Sequence, residues 1–325
     1  MNPFASIVPA VWTRNALAVT LAFGLLLAAS PATSQDFTVI GTNLQKRVNG
    51  ALAMMQYSVS PDVTSSSLSI SSGDGGTNGL WMTQVGGGFT WSKSLPLYLE
   101  GNAAYSRYDP VFVVSEGTAQ RKVPVQWNSV VGTVGVGWDF RIAPELVLRP
   151  MANFSLGHVE SDLSVAGRLI EGETGKEIEF LKNGRLNAVG YGGSVMLDYE
   201  HYREAHEIDA EVRLTNIWLQ NYGGTSEAVE GLALAESLGI WTRWRAPTGL
   251  RALDRPVRYV LEYAFTRYFG PDGDMLGFNN LNSLGAGLEL DTSALDRIAT
   301  RWRLIGRFRF GENVRGWGVG LGISF

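Results

Sequence analysis

Residues 316–325 read GWGVGLGISF, and this stretch narrows the possible folds more than any other. In an extended strand, successive side chains point to opposite faces. Trp317, Val319, Leu321, Ile323 and Phe325 therefore share one face, and Gly318, Gly320, Gly322 and Ser324 share the other. An exposed strand of this kind in water would template aggregation. In lipid, a greasy outer face is what a strand of a closed barrel requires. Helices and closed barrels are the two structures that satisfy every backbone polar group inside hydrocarbon.

The same alternation recurs upstream. Trp302, Leu304, Gly306, Phe308 and Phe310 oppose Arg301, Arg303, Ile305, Arg307 and Arg309. Leu284, Ala286, Leu288 and Leu290 oppose Ser283, Gly285, Gly287 and Glu289. Val257, Tyr259, Leu261, Tyr263 and Phe265 oppose Arg258, Val260 and Glu262. Residues 130–140, 146–156, 189–199 and 208–218 follow the rule, and 80–91, 97–108 and 232–244 follow it less regularly, with a first strand near 65–71. In 232–244, turning Leu238 and Ile240 outward also turns Glu236 outward, which lipid penalises away from the rim. Pro150 is expected at a strand end or bulge.

These segments predict an all-β fold: a transmembrane antiparallel up-and-down β-barrel of about twelve strands over residues 63–325. Connections 92–96, 141–145 and 201–205 are short, whereas 109–125, 160–185, 221–231 and 269–280 are long and polar. That alternation separates a periplasmic end from an outer end. Connections 245–256 and 291–300 are longer than the rule expects at the periplasmic end. An even strand count places both ends of the chain in the periplasm. Trp91, Trp138, Trp244, Trp302, Trp317, Tyr105 and Tyr108 fall near strand ends, where aromatic girdles belong. A soluble two-sheet sandwich needs neither aromatic faces on nearly every strand nor so many charges opposite them.

The N-terminal part differs. Arg14 precedes an apolar run at 16–29, and Ala32-Thr33-Ser34 presents small residues before Gln35. This is the pattern of a cleaved secretory signal over residues 1–34. In residues 35–62, Thr42 and Gln45 form a capping-box pattern, and Leu44, Val48, Ala51, Leu52 and Met55 recur at helical spacing. A helix over 43–56 would be about 20 Å long, close to the roughly 25 Å apolar band of such barrels. It could lie in the lumen or its periplasmic mouth against the bare wall of Gly318, Gly320 and Gly322. Alternatively, the glycines ease curvature and the helix lies outside.

The inward faces predict a charged lumen lined by Arg301, Arg303, Arg307, Arg309, Glu289, Glu262, Arg213 and Asp139, with Glu211 and Asp209 as further acids. The chain has no Cys, so disulfides and thiol chemistry are excluded. Its net charge of −4 and lack of a basic stripe argue against nucleic acid as a partner. Neither a phosphate-binding loop nor a dinucleotide fingerprint stands between a strand and a helix, so no cofactor is expected. Of the three His, His201 and His206 flank a short connection with Glu204 and Glu207 near, and His158 precedes Glu160 and Asp162. Asp272-Gly273-Asp274 reads as a turn rather than a calcium loop. No catalytic or metal site is predicted from them.

Taken together, the dozen strands, the helix-like N-terminal segment, the final GLGISF and the Leu148–Phe154 pattern resemble the translocator barrels of autotransporters. The similarity is to solitary barrels of that type, since the thirty or so residues after Gln35 are too few for a passenger domain. The resemblance implies residence in the outer membrane of a Gram-negative bacterium. Its partners would be outer-membrane lipid, periplasmic chaperones and the barrel assembly machinery. Trp317, Val319, Leu321, Ile323 and Phe325 would form the assembly signal. The implied role is structural or in transport. A passive porin-like channel with a weak anion preference set by the arginines is the alternative, with an outer-membrane hydrolase behind it.

Overall fold

The computed structural model describes residues 18–21, 39–40, 52, 55–59, 67–71, 79–108, 111–116, 119–124, 126–161, 185–223, 232–269, 278–292, 300–312 and 314–324. Its strands are β1 (Ala18–Leu21), β2 (Val39–Ile40), β3 (Ser67–Ser71), β4 (Gly79–Thr90), β5 (Leu97–Tyr108) and β6 (Val111–Glu116). Then come β7 (Ala119–Pro124), β8 (Trp127–Trp138), β9 (Phe140–Ala143), β10 (Leu146–Ser161), β11 (Arg185–Tyr202) and β12 (Glu207–Tyr222). The chain finishes with β13 (Leu232–Ala252), β14 (Arg255–Phe269), β15 (Asn280–Asp291), β16 (Arg301–Gly311) and β17 (Val314–Ser324).

Twelve of these strands form an antiparallel up-and-down barrel in the order β3-β4-β5-β8-β10-β11-β12-β13-β14-β15-β16-β17. β1 pairs with both end regions, Ala18 opposing Ser324 of β17 and Gly88 of β4, so the sheet curls back on itself. These four residues lie within the expected signal segment. Its cleavage would leave β3 and β17 to face each other at the seam. The rest of that segment, and the expected helix apart from Leu52, Met55 and Gln56, lie outside the described residues, as does Phe325.

The alternation read from the sequence is the alternation of exposure. In β8, buried residues alternate with exposed Val130, Val134, Val136 and Trp138. Leu214, Val195, Leu304 and Leu261 all point outward. One aromatic band, with Trp91, Trp138, Trp244, Tyr259 and Trp302, stands at the end with the short turns. The other holds Trp81 against Tyr105, Tyr191 against Trp218 and Phe308 against Trp317. Two such girdles mark the two membrane interfaces. In β13, Leu238 opposes outward Leu214, so Glu236 is outward too. It opposes Phe269, the last residue of β14, and Asn216 Nδ2 donates to its Oε1 at 2.7 Å. The acid is tolerated because it stands near the outer rim with a partner. Pro150 sits inside β10, where β9 pairing has stopped at Leu148 and β8 pairing has not begun before Met151. No ladder bond on that edge needs its missing N–H.

Two expectations need correction. Connection 245–256 is not a long loop: β13 and β14 continue to the two-residue turn Leu253-Asp254, whose φ values of 51° and 58° suit a type I′ hairpin. A register shift after Pro247, with Gly249 at φ 78°, absorbs the extra residues. Connection 109–125, expected as long and polar, carries a hairpin of β6 and β7. Finally, β2 pairs in parallel with β6, Val39 opposing Phe112. Residues 39–40 therefore lie at the outer end and not in the periplasm.

The two-faced wall makes a depth-dependent prediction. Leu214→Arg, at mid-height beside Val195 and Leu238, is expected to destabilise the barrel by about 2–4 kcal/mol. Leu232→Arg at the outer end of β13 should cost at most about 1 kcal/mol. Denaturant titration of both variants in lipid vesicles measures the difference.

Candidate functional site: the barrel lumen

The inward residues of the strands divide the lumen into two zones. On the periplasmic side, most inward positions of β12 to β16 are charged, with Trp241, Val260, Gly285, Gly287 and Ile305 set among them. Cross-strand register places opposite signs together: Asp209 faces Arg243, Arg243 faces Glu262, and Glu289 faces Arg303. Asp209 holds Arg243 at 3.0 Å and Arg245 at 2.8 Å. Glu207 binds Arg301 at 2.6 Å and Arg245 at 3.2 Å, and also pairs with Arg258. Glu289, fully buried, binds Arg303 at 3.2 Å and Arg245 at 3.4 Å. Glu262 binds Arg307 at 2.7 Å. A buried charge without a partner would cost several kcal/mol, so these side chains stay inside only as a network.

Some of these bonds are chords across the interior. Arg213 of β12 grips Glu100 of β5 with both terminal nitrogens, at 2.7 and 2.8 Å, although the two strands stand four places apart in the sheet. Arg301 of β16 reaches Glu207 of β12 in the same way. Arg149 joins Asp139 at 2.5 Å to Asp198 at 3.0 Å and lies over the Tyr98 ring at 3.8 Å. Among the eight positions named from the sequence, Arg303, Arg307, Arg309, Arg213, Glu262 and Glu289 are buried inside, and Arg301 and Asp139 are partly covered.

The glycine wall has another occupant than the expected helix. A methyl group added at Gly320 would fall 1.9 Å from Arg307 Nη1, and one at Gly322 would fall 3.1 Å from Arg303 Nε. The missing side chains of β17 make room for the guanidinium groups of β16. Arginines from the adjacent strand reach that space first.

The outer half of the lumen is largely uncharged, with apolar side chains beside small polar ones such as Ser106, Ser129, Thr266 and Ser283. Val131, Leu186, Ile217, Leu219, Ala233, Ala264 and Leu281 are buried inward. Residues 52 and 55–59 lie among them. Leu52 and Met55 are fully buried, and a methyl group at Gly157 of β10 would meet Met55 Sδ at 2.7 Å. Tyr57 packs with Met82, Tyr268, Phe278 and Leu281, its ring 4.3 Å from Tyr268 and 5.2 Å from Phe278. The wall also binds the segment's backbone: Gln84 Nε2 donates to Tyr57 O at 3.0 Å and Asn102 Nδ2 to Ser58 O at 2.7 Å. Sequence reading named the charged inward residues and missed this zone. Its trace in the sequence is loss of alternation, as in Ile217-Trp218-Leu219 and Leu232-Ala233-Leu234-Ala235.

The remaining candidates stand apart from the lumen. His158 faces outward near the outer rim, between Asn187 at 2.7 Å and Glu160 at 3.3 Å. At the periplasmic end, His201 Nδ1 donates to Glu145 Oε2 at 2.7 Å, Arg203 binds its other oxygen at 2.7 Å, and His206 stacks on His201 at 5.4 Å. Glu207 turns inward to the arginines and is not part of that cluster. Among the described residues no group of three or more potential ligands could hold a metal. Asp162, Asp272 and Asp274 lie outside them. Of the proposed assembly signal, Trp317 is exposed, Val319 and Leu321 are half-buried, and Ile323 is covered opposite Trp302.

No family model and no curated protein matches this chain. Solved structures with a similar arrangement include the transport unit of the autotransporter AIDA-I from Escherichia coli, at 14% identity and TM-score 0.44 over 86% of this chain and 98% of that one. The β domain of the Bordetella autotransporter BrkA is 13% identical, with TM-score 0.42 over 77% and 92%. LpxR from Salmonella typhimurium is 10% identical, with TM-score 0.38 over 95% and 99%. All three scores fall below one half, and these likenesses carry no argument about role.

The lumen generates two predictions. Glu100→Gln strands Arg213 in the interior and is expected to destabilise the barrel by about 3–5 kcal/mol. Adding Arg213→Met should recover most of that loss, and a double-mutant cycle in denaturant measures the coupling. At the periplasmic rim, the hydrogen bond from His201 is the first cause holding the Glu145 carboxyl below its ordinary range. A carboxyl with a lowered folded pKa stabilises at pH above its unfolded value and loses that contribution as pH falls through the folded one. In His201→Ala the Glu145 titration, followed by carboxyl NMR, should move up.

Proposed function

We propose that this protein is an autotransporter-like, translocator-type outer-membrane barrel that carries its own short N-terminal segment through the lumen. The path of the chain carries this reading. Val39–Ile40 pairs with the outer-loop strand β6, residues 52 and 55–59 are held inside the barrel, and β3 begins on the wall. An N-terminal stretch that starts outside and re-enters through the lumen has been moved across the barrel. The lumen suits retention of that stretch: apolar side chains receive Leu52, Met55 and Tyr57, and two amides hold its carbonyl groups.

An open anion channel fits less well. The arginines Arg301, Arg303 and Arg307 that would select anions are each paired with a carboxylate. Selectivity by a ring of fixed charge needs charge left over. A hydrolytic role has no support at His158, whose neighbours are an amide and a carboxylate on the outward face.

In planar bilayers, the protein lacking its signal is expected to be nearly silent, and deletion of residues 35–60 should open it. Equal conductance of the two forms would contradict the plug. The chain has no native Cys, so Asp36→Cys reports the end of the segment directly. A membrane-impermeant maleimide applied to intact cells should label it, and labelling only after outer-membrane disruption would overturn the translocated N-terminus.

A further inference from the structure

A polar patch interrupts the apolar exterior at the outer end of β5, β8, β10 and β11. Arg107 opposes Asn128, Asn128 opposes Glu160, and Glu160 opposes Arg185, forming one cross-strand row. In the next row toward the membrane centre, Tyr105 opposes Val130, Val130 opposes His158, and His158 opposes Asn187. The groups are linked. Tyr105 OH donates to Asn128 Oδ1 at 2.9 Å, and Arg185 Nε stands 3.2 Å from Glu160, which also meets His158 at 3.3 Å. Trp81 meets the Tyr105 ring edge-on at 5.5 Å, beside Arg107. The Arg185 side chain is 69% exposed and that of Glu160 55%.

This row stands at the height of the outer aromatic girdle, where hydrocarbon gives way to headgroups. Elsewhere near that end the described outward residues include the neutral amides Asn216, Asn280 and Asn282, with Arg267 over its own neighbour Phe269 at 5.4 Å and Arg315 of β17 exposed opposite Phe310. Among the described outward residues, Arg267 and Arg315 fall in different rows, and two arginines share one cross-strand row only on this flank. They are three strand spacings apart, about 14 Å at about 4.8 Å each. Guanidinium groups bind phosphate through paired hydrogen bonds. Glu160 between them repels a centrally placed anion, so the row favours two separated phosphates over one.

We propose that this flank binds a phosphorylated glycolipid of the outer leaflet. Arg107 and Arg185 each take one phosphate, and the Trp81–Tyr105 pair packs against the sugar or the first acyl carbons. Glu160 opposes the bound charge and sets the spacing.

The test uses the protein in phosphatidylcholine nanodiscs doped with a bisphosphorylated glucosamine-disaccharide lipid, or with its dephosphorylated form. Lipid retained through washing is measured by mass spectrometry, and heat-modifiable gel migration confirms that each variant is folded. The protein should retain the phosphorylated lipid selectively. Arg107→Gln and Arg185→Gln should each weaken retention roughly tenfold, as loss of one charge-assisted contact implies. Glu160→Gln should strengthen it, the reverse of what a merely structural carboxylate would do. Equal retention of the two lipids, undiminished retention in either folded arginine variant, or no gain in Glu160→Gln overturns the proposal.

Discussion

Hydrocarbon supplies no hydrogen-bond partners, so each strand of this protein must find a strand on both sides. That requirement curls the sheet, and curling creates an exterior and an interior with opposite chemistry. The exterior needs little beyond apolar bulk and two aromatic bands. The interior is the harder problem, because a dozen strands enclose a space that must hold water, ligand or protein.

Two fillings share that space. Toward the periplasm, long arginines cross the lumen to carboxylates on distant strands, and bare glycines on β17 leave them room. Such bonds oppose flattening of the wall in a way that neighbouring-strand pairs do not, because they join strands that only curvature brings together. Toward the outside, apolar and small polar residues leave a chamber in which residues 52 and 55–59 are buried. A chamber filled by the chain's own segment is stabilised by apolar burial, and the amides of Gln84 and Asn102 fix its register.

The division has a functional consequence. Interlocked opposite charges lower the net field in the lumen, and a segment bound in the outer half obstructs the remaining path. Among the described residues, the outer half of the bore holds Leu52 and residues 55–59 of the chain's own N-terminal part. That stretch is also what joins the outer-loop sheet to the barrel wall.

Most strands and their faces were legible in the sequence, because the period of two is a local property of each segment and lipid enforces it on every strand. So was the inward set of Arg301, Arg303, Arg307, Glu262 and Glu289, which follows from the same parity. The register of 232–244, with Glu236 outward, was settled only by the pairing of β13 with β12. Three further features were not legible. Which arginine meets which carboxylate depends on the curvature of the whole sheet, as Arg213 and Glu100 lie 113 residues apart. The use of Gly320 and Gly322 as berths for Arg307 and Arg303 depends on the neighbouring strand's register. The burial of residues 52 and 55–59 inside the outer half of the lumen depends on walls supplied by seven or more later strands. Alternation along one strand settles which side faces lipid; what fills an enclosed volume is settled only when all the strands have closed around it.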